Sequence, residues 1–181
     1  HGKPRMPFEI WLPTTKMTVV EALAHHGING DIDHLFARYK THYDAVVASG
    51  IVPVVYDGVL NLLQFLKRHG MSLAILSSHP TENLRAEAEN YELGSFFELV
   101  IGSSRDKVSG LSEVCARLNI PTRRTLYVGD TIHDIRAARS AGVLSVGMCG
   151  GYHERTVLES EKPDYLLESI LELADVVALA R

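Results

Sequence analysis

A chain of 181 residues with 46% hydrophobic and 22% charged side chains has the make-up of a globular protein that can bury one core. Its formal charge of -4 excludes a general attraction to nucleic acid or to an anionic membrane, although a few placed cations would still serve an anionic substrate. Cys115 and Cys149 form neither a disulfide framework nor a metal clip, no apolar run reaches membrane-spanning length, and nothing at the start reads as a secretory signal, so a reducing, cytoplasmic setting is expected.

The opening His1-Gly2-Lys3-Pro4 has no initiating Met, and we expect sequence upstream of it. Residues 1–54 then read as a helical region. Val19, Val20, Leu23 and Ala24 form one apolar stripe closed by His26-Gly27. Ile32, Leu35, Phe36, Tyr39 and Tyr43 form a second, ended near Ser49-Gly50. Ile51 to Tyr56 is β-prone, but Pro53 makes it a connector or an edge rather than a central strand.

Residues 55–181 alternate between strands and helices. A helix through Val59, Leu62, Leu63 and Leu66 stops at His69-Gly70. The run Leu73-Ala74-Ile75-Leu76 predicts a strand buried on both faces. A helix over about 81–92, a strand at 99–101, a helix over 107–118 and a strand at 126–128 follow. The pattern continues with a helix over 133–141, a strand at 143–146, a short strand at 165–167 and a helix over 168–179. Alternation through short loops predicts a doubly wound parallel α/β sheet with right-handed crossovers, in three layers.

Ligands of such sheets sit at the carboxyl ends of the strands, so the residues after each apolar run are the candidates. Ser77 and Ser78 follow Leu76, Lys107 heads the helix after the next strand, and Asp130 follows Val128-Gly129 with Asp134 four residues on. Hydroxyl and ammonium donors grip phosphate oxygens, and paired carboxylates suit a hard cation such as Mg²⁺. Taken singly each has a plainer reading: Ser77 as a cap for the helix after Pro80, Lys107 as a solvated lysine, Asp130 as an N-cap and Asp134 as an exposed acid. Their order along one sheet edge carries the signal.

That order resembles the haloacid dehalogenase superfamily. Leu73 to Ser78 is similar to its second motif, Lys107 stands in the place of the third-motif lysine, and Leu126-Tyr127-Val128-Gly129-Asp130-Thr131-Ile132-His133-Asp134 resembles the fourth, Gly-Asp-x-x-x-Asp. Ala137 to Val143 is similar to phosphoglycolate-phosphatase-like members, and the helical region 1–54 resembles the small cap that such enzymes insert after their first motif. The resemblance implies a Mg²⁺-dependent phosphatase acting on a small phosphorylated metabolite through an aspartyl-phosphate. In it Asp130 binds the metal, Asp134 is a ligand or a support behind it, Ser77 and Ser78 contact phosphate, and Lys107 offsets its charge. His79 and His133 are candidates for the pocket wall.

The first motif of that family, Asp-x-Asp-x-Thr after a buried strand, is absent from the 181 residues. Asp31-Ile32-Asp33 has the carboxylate spacing, but no strand precedes it and no Thr follows, so it is expected to open a helix. The resemblance places the missing strand between Leu73–Leu76 and Leu126–Val128, and the chain by itself is expected to be inactive. The alternative is a non-catalytic relative that binds a phosphorylated ligand or a protein partner, and the residues upstream discriminate the two. Within the superfamily a phosphomutase is also possible, whereas Lys107, Asp130 and Asp134 fit Mg²⁺ and phosphate better than a dehalogenase's halide chemistry, and the helical insertion and the Gly-Asp-x-x-x-Asp spacing count against a receiver domain. Lys16, Arg38 and Lys40 are read as solvated, His25 and His26 as helix-surface residues, Trp11 with Phe8 and Ile10 as packing, and Gly150-Gly151-Tyr152-His153 as a turn or one wall of the cleft. The substrate and the oligomeric state are left open.

Overall fold

Two compact units divide the chain, His1–Val54 and Val55–Arg181. The structure is a computed structural model and describes residues 7–11, 14, 16, 19–51 and 54–179. Pro53 lies outside the described residues. In the first unit α1 spans Phe8–Trp11, α2 Val19–His25 and α3 Ile32–Ala48. Asp31 opens α3 as its N-cap, its carboxylate accepting the His34 N–H at 2.9 Å, which is the local role an acid takes at a helix start. The indole of Trp11 stacks on His26 with ring centroids 5.3 Å apart, whereas Ile10 is exposed.

The second unit runs α4 Val59–Arg68, β1 Ala74–Leu76, α5 Thr81–Asn90, β2 Leu99–Ile101, α6 Lys107–Leu118, β3 Leu126–Gly129, α7 Ile132–Ala141, β4 Leu144–Met148, α8 Arg155–Ser160, β5 Tyr165–Leu167 and α9 Leu173–Leu179. All paired strands are parallel. They form two ladders, β1–β2 in register Ala74 to Leu99, and β3–β4–β5 in registers Leu126 to Leu144 and Val146 to Tyr165. Helices cover both faces. Leu62, Leu66, Val176 and Val177 pack with Leu73, Leu126 and Val128 on one side. Leu111, Cys115, Ala137 and Ala138 pack with Leu76 and Tyr127 on the other. Each face thus joins residues of both ladders, and the three-layer α/β architecture follows.

Three expectations are corrected. The run Leu73–Leu76 is half-buried, not enclosed on both faces, and so is β3, while β4 is buried over Ser145–Met148. The reason is pairing: among the described residues β1 and β3 each have a ladder partner on one side only, whereas β4 has one on both. The last helix starts late, because Ser169 caps a 3₁₀ turn at Ile170–Glu172 in a reciprocal capping box with Glu172 before α9 begins. The helix α8, six residues long, is too short for a periodic signal and was not expected. Among the described residues no helix is long and apolar enough to cross a membrane, and Cys115 and Cys149 are free and buried.

The entry to β5 is tied to β4 by Ser145, which is 1% exposed. Its N–H and hydroxyl donate to Asp164 Oδ2 at 2.8 and 2.7 Å, and its Oγ accepts the Asp164 N–H at 3.0 Å. The Ser145 N–H, then its hydroxyl, hold the Asp164 carboxyl below the usual carboxylate range. A lowered folded value means that this stabilisation is present above the ordinary carboxylate pKa and is lost as pH falls through the lowered one. Asp164→Ala is expected to cost about 1–3 kcal/mol by leaving buried donors of Ser145 unpaired. Thermal melts at neutral pH would show that loss, and the gap to wild type should close as the solution is acidified.

Candidate active site

The carboxyl ends of β1, β2 and β3 carry the predicted residues, and the fourth-motif stretch organises them. Gly129 ends β3 where a Cβ would fall 2.3 Å from that of Asp134, so glycine is needed to let the first turn of α7 fold back on the strand. Thr131, not Asp130, is the N-cap of α7. Its Oγ1 accepts the Asp134 N–H at 3.2 Å and donates to Asp134 Oδ2 at 2.6 Å, while its own N–H donates to the same oxygen at 3.1 Å. Asp134 is 4% exposed, and its other oxygen accepts the Lys107 ammonium in a short ion pair and faces the Tyr127 hydroxyl at 3.1 Å. Both oxygens of this acid are therefore held by protein donors. Asp130 differs: Oδ2 accepts the Tyr152 N–H at 2.8 Å, and Oδ1 has no hydrogen bond among the described residues.

Lys107 is placed by the cap of its own helix. Asp106, the N-cap one residue before the lysine, accepts the N–H groups of Val108 and Ser109 at 3.0 and 3.3 Å, so α6 starts at Lys107, whose ammonium reaches Asp134 on α7. Ser77 follows β1, and its Oγ accepts the His79 N–H at 3.1 Å, which leaves its own proton without an acceptor among the described residues. It does not cap α5, whose N-cap is Pro80. The Ser104 N–H donates to the Ser77 carbonyl at 3.0 Å and draws the loop after β2 against the end of β1. Ser78 is exposed, and the His79 ring pairs with Glu87 at 3.1 Å. His133 is half-buried in the first turn of α7. In the other unit Lys16 and Arg38 are exposed, and Lys40 pairs with Asp44 at 2.6 Å.

Two residues at this edge were missed from sequence. The Tyr127 hydroxyl lies 3.3 Å from the Leu76 carbonyl as well as near Asp134, so it links the end of β1 to the acid of α7. Burial, then the Asp134 charge, push its phenol pKa far upward, and it stays protonated as a donor. Its signal was the alternation of the strand, which sends Tyr127 to the face opposite Val128. Thr131 was legible as the Thr-x-x-Asp of a capping box.

The donor chemistry fits Mg²⁺ at one oxygen. That cation commonly takes one or two carboxylates and keeps waters, and Asp130 is a half-exposed residue whose Oδ1 has no competing donor among the described residues. Among the described residues no three His, Cys, Asp or Glu side chains gather as a complete cage.

A doubly wound α/β layer with a lysine–carboxylate cluster at the carboxyl ends of its strands is the class of protein defined here. The chain belongs to the haloacid dehalogenase-like hydrolase family, whose sequence profile matches residues 10–148. It is 26% identical over 183 residues to a phosphoglycolate phosphatase of Pseudomonas putida, covering 95% of this chain and 67% of that one. A phosphoglycolate phosphatase of Synechococcus elongatus is 33% identical over 125 residues, covering 68% of this chain and 59% of the relative. The chain thus spans about three-fifths to two-thirds of the length of these relatives. A solved haloacid dehalogenase-like family hydrolase of Streptococcus pneumoniae shares the fold with a TM-score of 0.77 at 21% identity, covering 99% of this chain and 84% of that chain.

Proposed function

We propose that the full-length protein is a Mg²⁺-dependent phosphatase of a small phosphorylated metabolite, with phosphoglycolate the leading substrate. The observation that carries this reading is the divided role of the two acids. Asp134 is saturated by Lys107, Tyr127 and Thr131, while Asp130 keeps an oxygen free beside them. In this reading Asp134 acts through Lys107, holding the ammonium where it offsets phosphoryl charge, and Ser77 donates its unused proton to a phosphoryl oxygen. Asp130 Oδ1 holds the cation. Mg²⁺, when bound, supplies Lewis-acid neutralisation of the phosphoryl oxygens.

The nucleophile belongs to a segment outside these 181 residues, seated as a strand between β1 and β3. Supporting this, those two strands each present an edge with no ladder partner among the described residues, and both are half-buried where the sequence is apolar. The incoming carboxylate attacks phosphorus and forms an aspartyl-phosphate as the P–O bond to the substrate breaks, and a second acid two residues on in the same segment gives the leaving oxygen its proton and later takes one from the attacking water. Water then cleaves the acyl-phosphate, and inorganic phosphate departs. A small anionic substrate and two unpaired thiols accord with a reducing, cytoplasmic setting.

A panel of phosphorylated metabolites assayed for phosphate release by the full-length protein tests the reading. We expect kcat/KM to be highest for phosphoglycolate and activity to vanish on chelation of Mg²⁺. Uniform inactivity across the panel with Mg²⁺ present would refute it.

A further inference from the structure

Beyond the motif residues, one loop is fastened to Asp130 from outside its own helix. The segment Gly150–His153 follows β4 and returns to the head of α7. Its Tyr152 N–H donates to Asp130 Oδ2 at 2.8 Å, and its His153 N–H donates to the Asp130 carbonyl at 3.1 Å. The His153 side chain, 4% exposed, accepts the N–H of Ile132 on Nδ1 at 3.0 Å. That bond satisfies a first-turn donor of α7 from another element, and it locks the loop in place. Gly151 completes the contact. A Cβ at this position would lie 2.3 Å from Asp130 Oδ2 and 2.4 Å from its Cβ, so only glycine lets the loop press this close.

We propose that the Gly150–His153 loop is the positioning element for Asp130, with Gly151 and His153 as its positioning residues. This inference rests on the reading of Asp130 as the metal ligand. The Tyr152 N–H occupies Oδ2 and so fixes the rotation of the carboxylate, which leaves Oδ1 as the oxygen turned to a cation. A carboxylate free to rotate would lose that preorganisation and, with it, affinity. An added methyl at residue 151 meets both Oδ2 and Cβ of Asp130, and carboxylate rotation relieves only the first contact, so the loop must draw back and take the Tyr152 N–H off Oδ2. His153 acts one step further back: without its imidazole the loop loses its anchor to Ile132 and keeps only the backbone bond to the Asp130 carbonyl, so the Tyr152 N–H is held less firmly against Oδ2.

The test is calorimetric titration of Mg²⁺ into the full-length protein and its variants, with thermal melts in the absence of metal alongside. Gly151→Ala is expected to raise the Mg²⁺ Kd roughly 10–100-fold, the usual loss when a group that orients a ligand is disturbed. Gly30→Ala, where a Cβ meets open space, should bind as wild type. His153→Ala should weaken binding in the same direction, and it carries the test should Gly151→Ala give no folded protein. A lowered melting temperature with a wild-type Kd in the folded variants, while Asp130→Asn abolishes binding, would overturn the positioning role and leave the ligand assignment intact. Wild-type affinity in Asp130→Asn would overturn both.

Discussion

Asp130→Asn is expected to weaken Mg²⁺ binding by more than roughly 100-fold, beyond the range seen when only an orienting partner of a ligand is lost. The size follows from the donor set. Asp130 offers a carboxylate oxygen without a competing hydrogen bond among the described residues, and Asp134 has both of its oxygens taken by protein donors. A hard dication depends on ligand charge, and an amide oxygen presents none. The side chain is half-exposed and Asn can still accept the Tyr152 N–H, so the melting temperature should stay near that of wild type. Titration of Mg²⁺ or of Mn²⁺ into the full-length variant reads the effect without relying on turnover.

Lys107→Ala is expected to lower kcat by roughly 10²–10³-fold, the usual loss when one preorganised donor to a developing charge is removed. Lys107 is paired with Asp134, which is itself fixed by Tyr127 and Thr131, so the ammonium arrives oriented and needs no reorganisation during transfer. The same substitution leaves a buried carboxylate short of one partner, and a stability loss of about 1–3 kcal/mol should accompany the kinetic one. Lys107→Arg separates the two effects. It restores charge for Asp134 but carries a planar fork in place of a point charge, so stability should return further than kcat. Removal of Lys67, an exposed partner of Glu98 at 2.9 Å, should leave steady-state kinetics unchanged.

Much of the architecture was readable because the physics that sets it is local. Apolar runs such as Ala74–Leu76 and Leu126–Val128 can only be strands of a covered sheet, and the helices between them show their packed faces in sequence. Gly129-Asp130-x-x-x-Asp134 was legible as a unit, and the structure adds the reason for its glycine, since a Cβ there would fall 2.3 Å from that of Asp134. The family resemblance set Asp130 at the metal and Asp134 as a ligand or a support behind it, and what sequence could not give was the set of bonds that holds each acid. Adjacent carboxylates look alike on paper. Their difference comes from Lys107, 27 residues away in sequence from Asp134, and from Tyr152, 22 residues from Asp130. The burial of β1 was misjudged for a related reason, since apolarity records what a strand is suited to bury and not how many neighbours it has paired with. His79 illustrates the limit at the single-residue level: position after a strand put it near the edge, and the structure adds a contact of its ring with Glu87 on α5 that sequence did not show.

The most direct test of the central claim is a crystal structure of the full-length protein soaked with Mg²⁺ and a phosphate mimic such as vanadate. We expect Mg²⁺ on Asp130 Oδ1, the anion in hydrogen-bonding reach of both Ser77 Oγ and Lys107 Nζ, and a strand carrying the nucleophilic aspartate between β1 and β3. An anion bound away from Ser77 and Lys107, or β1 and β3 hydrogen-bonded directly to one another, would contradict it.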